Sequence, residues 1–109
     1  MRRAAVLLAA MATPALAEAP QITVLNTAGQ DIAAMTVYYV NDAGKVEDDA
    51  VGSSAVRLAP GESTVVILTG LLACRPVYVI AYDHDTGFNA EVTGNACDAA
   101  AFELREVPK

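Results

Sequence analysis

Cys74 and Cys97 are the only cysteines in this chain of 109 residues, and the stretch between them reads as a hairpin. Val77–Tyr82 and Phe88–Thr93 alternate with the two-residue period of half-buried strands, and Asp83-His84-Asp85-Thr86-Gly87 between them is built from turn formers. If Tyr82 faces Asn89, the same register sets Ala81 opposite Ala90, Val79 opposite Val92 and Val77 opposite Gly94, a continuous apolar face. Tyr78 opposite Thr93 and Ile80 opposite Glu91 make the other face. Extended outward, this register places Cys74 opposite Cys97. Directly opposed residues have Cα atoms about 4.5–5.5 Å apart, within reach of a disulfide. A bulge at Pro76 would shift the pairing there by one. The expectation is a hairpin closed at its open end by one disulfide, worth roughly 3 kcal/mol in the chain-entropy model.

A disulfide implies an oxidising compartment, and the start of the chain agrees. Met1-Arg2-Arg3 is positive, Ala4–Ala12 is apolar, and Thr13-Pro14-Ala15-Leu16-Ala17 ends in the small-x-small pattern of a signal-peptidase site. Residues 1–17 therefore read as a cleaved signal peptide and 18–109 as a single domain in the periplasm or outside a bacterial cell. General secretion is favoured over twin-arginine export, since the arginine pair abuts Met1 with no polar residue before it. No later stretch approaches the ~20 apolar residues that span a bilayer. Removing Arg2 and Arg3 takes Lys+Arg from 7 to 5 against 13 Asp+Glu, so the net charge of −6 becomes −8. That sign repels nucleic-acid phosphates and anionic lipid and leaves a cationic partner as the electrostatically favoured one.

The remaining segments carry strand patterns and no amphipathic helix. Gln21–Asn26 alternates Ile22 and Val24; Ile32–Val40 sets Met35, Val37 and Tyr39 on one parity and Ala34, Thr36 and Tyr38 on the other. The polar, acidic Asn41–Ala50 reads as a loop, and Val56–Leu58 as a short strand ending at a Pro60-Gly61 type II turn. Ser63–Thr69 is continuously apolar, as a central strand would be, and Gly70–Ala73 is a connection. Asn95–Ala100 has room for one helical turn, and Ala101–Val107 is a last strand. Ile22–Val24 and Phe102–Val107 are candidate sheet edges. About seven strands with such turns predict an all-β fold, an immunoglobulin-like antiparallel β-sandwich with one disulfide; a small open β-barrel is the alternative.

Few residues suggest chemistry. Asp83, His84 and Asp85 are candidate metal ligands, but neighbours along a strand point to opposite faces and the rest of a zinc or calcium ligand set is missing. Asp48 and Asp49, beside Glu47, are weaker candidates in what reads as a solvated loop. One histidine and three serines (Ser53, Ser54 and Ser63), with no nucleophile-elbow motif, give no support to a hydrolase. No catalytic residue, cofactor or confident metal site is assigned. Tyr38, Tyr39, Tyr78 and Tyr82 are candidate contact residues, with one of the adjacent pair Tyr38-Tyr39 expected to face out.

The chain resembles a group of small exported bacterial β-sandwich proteins with no assigned activity. The resemblance rests on Asn26-x-x-Gly29, the strand to Val40, an acidic loop, Leu58-x-Pro60-Gly61, the strand after Cys74 and Asn95-x-Cys97. It departs in lacking the aromatic that the group usually carries near the acidic loop. It implies the fold and the export and assigns no chemistry. The expected function is a non-enzymatic exported binding module that contacts another envelope or extracellular protein, a cationic one for preference; the alternative is a periplasmic protein that binds Ca²⁺ or a small ligand.

Overall fold

Seven strands follow one another with no helix among the described residues, which in this computed structural model are 20–69, 74–98 and 100–107. They are β1 (Gln21–Asn26), β2 (Ala34–Val40), β3 (Val46–Ser54), β4 (Ser63–Ile67), β5 (Pro76–Asp83), β6 (Phe88–Asn95) and β7 (Phe102–Glu106). The signal-like residues 1–17 and the connection 70–73 lie outside the described residues.

The strands form one sheet in the order β3-β2-β5-β6-β7-β1-β4, curled into a half-barrel around a single apolar core. The small open barrel expected as an alternative fits this shape as well. The sheet is mixed: five of its six neighbouring pairs are antiparallel, and β1 lies parallel to β7 with Val24 beside Phe102 and Asn26 beside Leu104. Strand alternation decides what fills the core. Ile22 and Val24, Met35, Val37 and Tyr39, Val77, Val79 and Ala81, and Phe102 and Leu104 all face inward and are buried. Their strand neighbours form the outer face.

The β5–β6 hairpin takes the register expected from the alternation, from Pro76 opposite Asn95 to Asp83 opposite Phe88, with no bulge at Pro76. The Cys74–Cys97 disulfide closes it, with the two Cα atoms 5.2 Å apart.

Five local expectations are corrected. Asn41–Ala50 is not all loop, because Val46–Ser54 forms β3, an edge strand with only Val51 buried. Polar composition hid it: an edge strand with one face in solvent needs few apolar residues. Ser63–Thr69 is not central, since β4 lies at the other end of the sheet with Val65 and Ile67 exposed. β1 and β7 are interior strands rather than edges. Val56–Leu58 supplies only a bridge from Leu58 to Ile32, and Asn95 and Asp98 close a turn rather than a helical segment, with the Asp98 amide donating to the Asn95 carbonyl.

Two motifs far apart in sequence meet at the end of β1. Asn26 is fully buried, and its Nδ2 donates to the carbonyls of Gln30 (2.8 Å) and Leu58 (3.0 Å) while its Oδ1 accepts from the Ala28 amide (2.9 Å). The Gly61 amide donates to the Asn26 carbonyl, and the Asn26 amide to that of Glu62. Gly61 has φ +89°, and the Glu62 amide donates to the Ala59 carbonyl, as a type II turn requires. The Pro60-Gly61 corner is thereby fastened to the turn after β1.

Candidate functional site

The ladder between β6 and β7 is short. Only Ala90 opposite Glu106 and Glu91 opposite Arg105 are paired, and the Val107 amide donates to the Asn89 carbonyl at their end. Beyond Arg105, β7 diverges from β6 and pairs with β1 through Phe102–Leu104. The two strands splay, and a cleft of about 650 Å³ opens between them.

Its walls follow from strand parity. Glu91 and Thr93 on β6 and Glu103 and Arg105 on β7 alternate with inward-facing Ala90, Val92, Phe102 and Leu104. Outward residues make the rim, joined by Tyr78 of β5, by Asp98, Ala100 and Ala101 of the β6–β7 connection, and by Glu106. The floor is the Phe102 ring. A Cβ on Gly94 would lie 2.8 Å from that ring, so glycine is needed there for the ring to pass under β6. The charged rim holds Glu91, Asp98, Glu103 and Glu106 against Arg105 alone, and the Arg105–Glu103 pair is loose, at 4.0 Å between exposed groups.

Tyr78 joins the cleft to the outer face of the sheet. Its hydroxyl donates to Glu91 Oε1 at 2.7 Å. Burial, and then the bond to a carboxylate that favours the protonated phenol, push its pKa up to about 12. Tyr38 lies directly across the β2–β5 ladder from Tyr78, half-buried on the same outer face. Tyr82 also faces outward, its ring 4.8 Å from that of His84. Tyr39 is the inward member of its pair: it is buried, and the Arg75 guanidinium sits 4.1 Å above its ring. Arg75 also meets Glu47 at 3.4 Å, tying the start of β5 to β3. Burial raises the Tyr39 pKa, Arg75 lowers it and Glu47 adds to the rise; the hydroxyl has no hydrogen-bond partner among the described residues.

The candidate ion ligands do not converge. Asp83 turns inward, accepts from the Asp85 amide at 2.9 Å and meets Arg57 at 3.4 Å, while His84 and Asp85 are exposed. The Gly87 amide donates to the Asp83 carbonyl with Gly87 at φ +71°, so this segment is the hairpin turn. Asp48 and Asp49 are exposed on β3, where the register with β2 slips between Tyr38 and Val40. Among the described residues, no three His, Cys, Asp or Glu side chains are grouped to hold a metal ion.

The cleft itself was not legible in the sequence. Glu91, Glu103 and Arg105 read as the solvent face of ordinary strands, and nothing local announces that β7 leaves β6 for β1. Its signal, visible only in retrospect, is Gly94 at an inward position of a strand. Comparisons with protein families, with characterised proteins and with solved structures find no match to this chain.

Proposed function

We propose that this protein is an exported, non-enzymatic binding module that contacts a basic protein through the β6–β7 cleft. One observation carries the reading: the cleft of about 650 Å³ between β6 and β7 is rimmed by four carboxylates and one guanidinium, and it adjoins an outer face bearing Tyr38 and Tyr78. Carboxylates steer and orient a cationic partner, while half-buried tyrosines offer contact area at low entropic cost. The signal-like start and the disulfide support an extracytoplasmic site of action. Among the described residues no helix is long and apolar enough to cross a membrane.

The test is titration of the folded protein with a lysine-rich and a glutamate-rich peptide of equal length. The lysine-rich peptide should bind, more weakly as salt rises through the range where surface charges are screened. The double variant Glu103→Lys, Glu106→Lys changes two exposed rim residues and should weaken that binding about tenfold or more. Equal affinity for both peptides, or a variant that binds as well as the wild type, would overturn the reading.

A further inference from the structure

We infer that the outer face of β2 and β5 is a platform for a neutral polysaccharide, a straight chain of sugar rings lying along β5 on Tyr38, Tyr78 and Tyr82. The inference does not rest on the acidic cleft. It concerns the face beside it, with which the cleft shares Tyr78.

Register assembles the platform. Across the β2–β5 ladder Ala34 lies opposite Tyr82, Thr36 opposite Ile80 and Tyr38 opposite Tyr78, all on the side away from the core. On β3, Ser53 continues the Thr36 row and Ala50 the Tyr38 row; on β6, Asn89, Glu91 and Thr93 continue the rows of Tyr82, Ile80 and Tyr78. Tyr38 and Tyr78 form a cross-strand pair, and Tyr82 stands on the same strand face about 13 Å along β5. A ligand that touches both places must run along β5.

The chemistry of the face selects the ligand. No outward residue of β2 or β5 is charged, in a chain with 13 Asp+Glu. Glu91 is the one carboxylate in these rows, and the Tyr78 hydroxyl occupies one of its oxygens at 2.7 Å. The rows hold no cation for an anionic polymer and, beyond Glu91, no carboxylate for a basic one. What they offer is electron-rich ring faces, with neutral hydroxyl and amide groups beside them from Thr36, Ser53, Asn89 and Thr93. A sugar ring has the matching surface: weakly positive C–H groups on its faces and hydroxyls round its edge. A protein interface would centre on a desolvated apolar cluster, whereas here polar side chains are spread among the rings.

The rings are also held in advance. All three tyrosines are half-buried; Tyr78 is fixed by Glu91, and the Tyr82 ring rests 4.8 Å from that of His84. Ordered rings lose little entropy when a ligand settles on them.

The experiment titrates the protein with cellohexaose, a straight neutral chain, and with maltohexaose, a curved one of the same composition, following the tyrosine ring resonances and the heat of binding. Cellohexaose should shift Tyr38, Tyr78 and Tyr82, leave buried Tyr39 in place, and bind equally at low and high salt, since no charge pair forms. Maltohexaose should bind more weakly. Tyr82→Ala should weaken cellohexaose binding about tenfold, comparable to the loss of one base stacked on an aromatic side chain, while Tyr82→Phe, which keeps the ring, should bind nearly as the wild type does. The wild-type titration decides the question even if Tyr82→Ala does not fold. Tyrosine resonances unmoved by cellohexaose up to its solubility limit, or equal affinity for the two sugars, would overturn the inference. So would concentration-dependent self-association that moves the same rings, which would make the face a protein interface. None of these outcomes bears on the salt-sensitive binding of a lysine-rich peptide, so the two readings fail separately.

Discussion

Tyr78 shows how a single outward side chain is tuned by its surroundings. Partial burial, and then the bond its hydroxyl donates to Glu91 at 2.7 Å, raises its pKa from 10.0 to about 12. The neutral phenol is thus the form the fold prefers. The stability it contributes is complete below pH 10 and is lost as pH rises from about 10, where the unfolded phenol ionises, to about 12. Buried Tyr39 is shifted in the same direction, so wild-type unfolding midpoints in urea should fall through this window. Tyr78→Phe should flatten that fall, and parallel pH profiles for variant and wild type would refute the assignment. The sequence carried half of this: alternation put Tyr78 outward opposite Thr93, but its partner Glu91 lies diagonally across the ladder, where register alone makes no pairing. Asn26 was equally opaque. A polar residue at the end of a strand reads as the start of a turn, and only the assembled fold shows it buried with three side-chain hydrogen bonds, one of them to Leu58.

Among the elements, legibility followed the number of constraints acting on each. The β5–β6 hairpin had three that agreed (alternation, turn chemistry and the cysteine pair), and its register came out as expected over eight residue pairs. β3 had none. Its Glu47, Asp48 and Asp49 are poor strand formers, but they sit at a sheet edge where charge is tolerated and discourages pairing with other chains. β4 erred the other way, because a run such as Ser63–Thr69 reads as buried on both faces while its Val65 and Ile67 face solvent. Since the hairpin's ladder is complete without its staple, the disulfide acts mainly on the unfolded chain. Cys74→Ser with Cys97→Ser should cost roughly 3 kcal/mol in chemical denaturation while leaving the amide-exchange pattern of β5 in place. Loss of protection along β5 in the variant would show instead that the bond defines the register.

At the scale of the whole molecule, the question is what stops the two ends of an open sheet from pairing with neighbours. The ends turn toward one another. The Thr69 amide, just beyond β4, donates to the Val51 carbonyl of β3 at 2.7 Å, and the Thr69 hydroxyl donates to the same oxygen at 3.3 Å. The approach is possible because position 52 is glycine: a Cβ there would lie 2.9 Å from Leu68 Cδ2 and 3.1 Å from the Ile67 carbonyl oxygen. The β3 bulge between the residues opposite Val37 and Tyr38 falls beside it and bends the strand into the seam. One side chain larger than hydrogen at Gly52 must therefore push the edges apart. Gly52→Val should destabilise the fold by about 1–3 kcal/mol, the usual cost of overpacking. It should also speed exchange of the Thr69 amide and, by freeing an edge that carries exposed Val65 and Ile67, promote concentration-dependent association. Sedimentation and exchange measured on one sample separate the effects: instability alone lowers the unfolding midpoint, whereas an opened seam changes Thr69 and the association state well below that midpoint. A variant monomeric at every concentration, with Thr69 exchanging as in the wild type, would mean that the half-barrel is held by its core and that the seam only happens to lie where it does.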